Sequence, residues 1–195
     1  VVDDGIPCEA PYNYDKTKIN NSPEQIQFNQ EQQDNSNGQN TGYTQGFNDG
    51  YQEATSNSIS SNGSESYKEG YALGYNKGFK EGKEKIEAEK LQAANAGYAV
   101  GNIQDELLVP EEYVNNLSLK KSFEEGFNKA VYERVEAKKK EMNDLGFNDG
   151  RKDVHSPPID IEEVYIKAYQ EGYEKGQKEL EEEYTNQGYE AAFTM

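Results

Sequence analysis

The sequence predicts an all-α protein of long amphipathic helices. Glycine–aromatic seams join them in a hairpin or bundle arrangement, after a disordered N-terminal leader. Three observations carry this expectation. Between Ser66 and Lys85, glycine falls at Gly70, Gly74, Gly78 and Gly82, four residues apart, with Tyr71, Tyr75 and Phe79 after the first three. Beyond residue 66 the prolines are Pro110, Pro157 and Pro158, and they stand at two breaks between helical stretches. Before residue 42 the chain is rich in Asn, Gln, Asp and Ser.

Residues four apart share one face of an α-helix. Small residues along such a ridge let two backbones approach closely, and four-step ridges favour crossed helix pairs. Membrane helices use the same contact, but here Glu, Lys and Asn lie between the glycines, so the contact is made in water. Four glycines in one helix cost about 1 kcal/mol each relative to alanine. Packing of the neighbouring rings against a facing helix must offset that. A flexible glycine-rich segment is the competing reading. The strict spacing and the aromatic register stand against it, as does a Ser66–Glu69 capping box.

Composition narrows the function classes. Hydrophobic residues make up 33% of 195 and there is no Trp, so a large globular core is not expected. The mean hydropathy of -1.10 agrees. Tyr outnumbers Phe 15 to 7, which suits half-wet seams better than a dry interior. The net charge of -17 repels phosphate backbones and argues against nucleic-acid binding. No apolar run approaches membrane-spanning length. Cys8 is the one cysteine, so no internal disulfide forms. Scarce cysteine leans towards a secreted or cell-surface protein, with a cytoplasmic one as the alternative.

In order, residues 1–41 read as the disordered leader. Residues 42–65 form a short Gly–aromatic segment and linker, and 66–195 a helical repeat domain. A first helix is expected from Ser66 to about Leu107. A second follows from Glu111 to about Gly150, with Pro110 before it and acids in its first turn. A third runs from about Ile161 to Ala192, behind an Asp160–Glu163 capping box. The glycine word recurs at Gly97 and Gly101, at Gly126–Phe127, at Gly146 and Gly150, at Gly172–Tyr173 and Gly176, and at Gly188. Segments beginning PEEYVNN and PPIDIEE share a proline, acids, an apolar step and the word, a larger repeat of about 40–50 residues that suggests stacked or hairpin helices.

The stretch GFKEGKEKIEAEKLQAANAGYAVG, Gly78 to Gly101, resembles the N-terminal segment of the Yae1/Lto1 family, as does GYEKGQKELEEEYTNQGYEAAF, Gly172 to Phe193. That resemblance implies an α-helical adaptor that helps deliver iron–sulfur clusters to a client. The positions carried over are Gly78, Gly82, Gly97, Gly101, Gly172, Gly176 and Gly188. The same run looks like the GxxxG segment of the flagellar export regulator FliH, whose helices pair in a dimer. Both likenesses are taken here as pointing to glycine-faced helix pairing.

Sites for chemistry are sparse. His155 is the one histidine and sits in a turn before Ser156. No Walker loop, nucleophile elbow or metal-ligand spacing occurs. No catalytic, cofactor or metal site is expected. The helix-packing interface is expected at Gly70, Tyr71, Gly74, Tyr75, Gly78, Phe79, Gly82, Gly97, Gly126, Phe127, Gly146, Gly172, Tyr173, Gly176 and Gly188, with another copy or a partner covering it. The expected function is a non-enzymatic structural protein, a homo-oligomer or assembly subunit. The alternative is an adaptor that clamps a client protein.

Overall fold

The computed structural model of the chain describes residues 23–193, and side chains through residue 188. Five helices run α1 Pro23–Tyr51, α2 Glu65–Gly101, α3 Glu111–Val114, α4 Leu117–Gly150 and α5 Glu163–Phe193. The described residues contain no strand. They cluster as two compact units, 1–89 and 90–195. In the first, α1 packs on the N-terminal part of α2. In the second, α4 packs on the C-terminal part of α2 and on α5.

The leader expected over 1–41 is corrected in part. Residues 1–22 lie outside the described residues, but 23–41 are helical. The amides that suggested disorder support the helix through bonds four residues apart: Gln25 to Asn29 at 3.2 Å, Gln27 to Glu31 at 2.8 Å and Gln30 to Asp34 at 2.8 Å. Gly38 in this stretch is buried. The expected 42–65 segment is therefore the end of α1 followed by a linker.

Other boundaries move for identifiable reasons. Ser64, not Ser66, caps α2, accepting the Tyr67 N–H at 3.3 Å. The expected 111–150 helix breaks at Asn116, whose side chain accepts from the N–H groups of Ser118 and Leu119 and caps α4. Asp160 has φ +60° and lies before α5, so it is not the expected cap.

The direction of pairing, open from sequence, is parallel. Gly38, Gly42, Gly46 and Gly50 of α1 meet Tyr67, Tyr71, Tyr75 and Phe79 of α2, in rising order on both helices. α2 with α4 and α4 with α5 follow the same sense. Each linker must therefore carry the chain back along the pair. From Asn35, which donates to the Ser66 carbonyl at 3.0 Å, to Tyr51 is about 24 Å of helix. Residues 52–64 can span about 40 Å when extended. The α1–α2 contact persists along four successive glycines rather than at one crossing point. A stripe of period four stays in contact only if the helices wind right-handedly around each other.

The core is thin, as composition demands. Tyr75, Ile86, Phe123 and Tyr169 are its largest fully buried side chains. In the second unit Met142, Ala168, Tyr169 and Tyr173 form one cluster, with Ile161 and Tyr165 packed against it. The apolar residues along 114–145 are only partly buried: Phe123, Phe127 and Met142 are inside, whereas Leu117 is 81% exposed.

Candidate functional site

The candidate site is the set of backbone seams. Gly70, Gly74, Gly78 and Gly82 of α2 lie against the carbonyls of Asn35, Gln39, Tyr43 and Phe47 of α1. The four α1 glycines answer from the other side. Gly97 and Gly101 meet Phe123 and Phe127 of α4, and Gly126 meets Ala94 of α2. Gly146 and Gly150 meet Tyr169 and Tyr173 of α5, and Gly172 and Gly176 meet Asn143 and Phe147 of α4. A methyl group at any of these positions would lie 1.9–2.4 Å from a carbonyl oxygen. The α-hydrogen standing there points at that oxygen instead, a weak hydrogen bond worth about 0.5–1 kcal/mol. That is the size of the helix penalty of each glycine.

One geometric rule holds at every seam. Each glycine faces the carbonyl three residues before a small residue of the facing helix, and the contact is reciprocated: Gly38 on Tyr67 with Gly70 on Asn35, Gly97 on Phe123 with Gly126 on Ala94, Gly146 on Tyr169 with Gly172 on Asn143. Thus the expected interface glycines from Gly70 to Gly176 meet facing helices of this same chain. Gly188 is the exception, with nothing within 4 Å.

The rings flank the seams as ladders. Tyr67, Tyr71, Tyr75 and Phe79 stack at centroid distances of 6.4, 6.0 and 5.9 Å. Tyr43, Phe47 and Tyr51 do the same on α1. Phe127 and Tyr173 are buried.

A second rule places the polar groups. The residue after a seam glycine meets the residue seven beyond the matching glycine. Tyr43 donates to Glu81, Tyr51 to Glu89 at 2.6 Å, and Tyr98 to Glu133 at 2.6 Å. Arg151 pairs with Glu183 at 3.0 Å. The Lys85 ammonium stands 5.7 Å from the centre of the Phe47 ring. Glu81 therefore serves Tyr43 rather than a lysine four residues on, and Lys85 lies 3.8 Å from Glu89.

Two more contacts form clamps: Tyr75 follows Gly74 and meets Asp49, seven beyond Gly42, while Tyr169 follows Ala168 and meets Asp149, seven beyond Met142. Tyr75 is fully buried, donates to Asp49 at 2.8 Å, and accepts the linker N–H of Asn57 at 2.9 Å. Tyr169 is fully buried, donates to Asp149 at 2.8 Å, and accepts the N–H of Ser156 at 3.0 Å. Burial first, and then the aspartate bond, raise both phenols above their ordinary pKa; the linker N–H opposes the rise. For Tyr43 and Tyr98 the hydrogen bond to glutamate is the larger cause of a rise. The sequence reading missed Asp49 and Asp149. Their signal was the word GFNDG, present at 46–50 and again at 146–150.

Nothing in this arrangement converges on a reacting atom. His155 lies in the third linker, 4.7 Å from the Tyr173 ring and 3.2 Å from the Gln170 side chain. Among the described residues no group of three or more His, Cys, Asp and Glu side chains could hold a metal ion. No described helix is long and apolar enough to cross a membrane. Comparison with protein-family models, curated proteins and solved structures yields no match for this chain.

Proposed function

We propose that this chain is a non-enzymatic structural protein whose activity is helix pairing, and that it self-associates through a glycine–aromatic word left uncovered within the chain, that of Gly188. The observation that supports this is the repeated seam: three parallel pairs, one register rule, backbone against backbone. A chain that uses its glycines this way commits its surface to other helices rather than to a small molecule. The word that makes each seam also stands at Gly188, where no described residue of a facing helix lies within 4 Å. A second copy of the chain supplies an equivalent word, and the reciprocal seam is self-complementary, as a two-fold interface requires. A client-clamping adaptor, the role implied by the Yae1/Lto1 resemblance, is the second reading.

Sedimentation and circular dichroism of the full chain, across a hundredfold range of concentration, test the proposal. Mass rising with concentration while the helical signal holds or grows is the expected result. A helical monomer throughout would overturn self-association and turn the search towards a client.

A further inference from the structure

The backbone seams alone do not choose a partner. Any glycine ridge of period four fits any other, and sliding one helix by four residues restores every glycine contact but the last. Something else must fix the rung. On α1 the residues after Gly42, Gly46 and Gly50 are Tyr43, Phe47 and Tyr51. On α2 the residues opposite them are Glu81, Lys85 and Glu89. Donor meets carboxylate, ring meets ammonium, and donor meets carboxylate again. Slide α2 by one rung and Tyr43 faces Lys77 or Lys85, while Phe47, which has no donor, faces Glu81 or Glu89. Both tyrosine–carboxylate bonds are lost in either direction, although a tyrosine ring can still face an ammonium, as Tyr43 faces Lys77 at 5.8 Å and Tyr51 faces Lys85 at 5.5 Å.

We infer that the residue after each seam glycine, and the residue seven beyond the glycine it pairs with, form a two-position code that selects register and partner helix. At the other seams the same positions bring together some pairs of this kind, though Phe147 stands opposite Glu179, which pairs with Arg151 instead at 3.3 Å. Tyr98 takes Glu133, and Arg151 takes Glu183. A compatible helix, in this chain or another, offers a small residue followed seven positions later by an acid where the first helix presents Tyr or Arg. This inference rests on helix pairing being the chain's activity, but its test reads register inside one chain and is independent of self-association.

The test reverses the letters on α2 in the full chain, with Cys8→Ser as background. The variant Glu81→Lys/Lys85→Glu/Glu89→Lys mismatches the native rung; displaced by four residues it matches Tyr43 and Phe47, while Tyr51 would face Ala93. Nitroxide pairs at exposed sites on α1 and α2 report the register by distance. The expected outcome is a displacement of one rung, about 6 Å along the axis, or loss of the α1–α2 distance while the α4–α5 distance persists. The neutral control Glu81→Gln/Lys85→Gln/Glu89→Gln should keep the native register, since nothing in it favours a slip. Native register with unchanged thermal stability in the reversed variant would overturn the code. So would equal loss of pairing in the neutral control, because the charges would then be supports and not selectors.

Discussion

Two joints of this chain turn on a tyrosine and the third on a phenylalanine. Tyr75 and Tyr169 each bridge an aspartate at the end of one helix to a linker N–H. The α2–α4 joint has Phe123 at the same seam position, and Val100 where Asp49 and Asp149 stand. Phe123 is as buried as the tyrosines, at 1% exposure. It offers no hydroxyl to a linker backbone, and this linker is built differently. Residues 102–116 contain α3, whose Tyr113 ring lies 5.6 Å from Phe123. Arg134 reaches the same linker through the Gln104 carbonyl and Asp105. A polar clamp and an apolar one therefore perform the same task. Tyr and Asp come together or are replaced together, as a buried hydrogen-bonded pair demands.

The largest effect should ignore this difference, because it falls on the seams that all joints share. Leucine at both Gly74 and Gly78 would drive side chains into the Gln39 and Tyr43 carbonyls, which cannot turn away. Overpacking of this kind costs about 1–3 kcal/mol per site and sometimes more. The helix-propensity gain of about 1 kcal/mol per glycine offsets only part of it. Gly97→Leu and Gly146→Leu should be as damaging in their own joints, whereas Gly188→Leu should leave the urea midpoint unchanged or raised. A mild Gly97→Leu beside a severe Gly74→Leu would show that the seams are not equivalent.

The glycine spacing made the seams legible in sequence, and the proline positions made the breaks legible. Pairing direction was not legible, because a ridge of small residues is the same ridge read up or down. The start of α1 was hidden by composition. Gln25, Gln27 and Gln30 look like a solvated tail until their partners four residues on are counted. The clamps needed two distant facts at once, an aspartate before a terminal glycine and a tyrosine on the next helix. Periodicity within one helix cannot show a pair of that kind.

Exchanging the two kinds of joint should produce an intermediate effect. Tyr75→Phe or Tyr169→Phe strands an aspartate and a linker N–H, at a cost of about 1–3 kcal/mol. Phe123→Tyr buries a hydroxyl that has Val100 where its acceptor should be, at a similar cost. Adding Val100→Asp to Phe123→Tyr should recover most of the loss, and urea unfolding of the single and double variants measures the coupling. Absence of recovery would mean that the joints are not interchangeable. The pH profile gives a second readout. The folded chain holds both phenols neutral, so their folded pKa lies above the ordinary tyrosine value of 10.0. Their contribution is fully present below the unfolded pKa and is lost as pH rises through the folded one. Stability should fall above pH 10, and less steeply in the Tyr75→Phe/Tyr169→Phe variant.

The smallest effect separates the joints by backbone alone. After α1, the Ala54 N–H returns to the Asp49 carbonyl at 2.8 Å and Glu53 takes φ +56°. After α4, the Val154 N–H returns to the Asp149 carbonyl at 3.0 Å and Asp153 takes φ +53°. Both are helix ends of the kind glycine usually closes. The end of α2 has no left-handed residue; instead the N–H groups of Ile103 and Gln104 both point to the Val100 carbonyl. A left-handed conformation costs an L-residue roughly 1–2 kcal/mol, and aspartate tolerates it better than glutamate because its short side chain bonds locally. Glu53→Gly should therefore stabilise the chain by about 0.5–1 kcal/mol, a rise in melting temperature of about 1–4 °C at this size. Asp153→Gly should gain less. Asn102→Gly relieves no strain and, beside the end of α2, should gain nothing. If Asn102→Gly raised the melting temperature as much as Glu53→Gly, the gain would come from local flexibility rather than from relief of the left-handed turn. The two clamped joints would then share a hydrogen bond but no distinctive backbone.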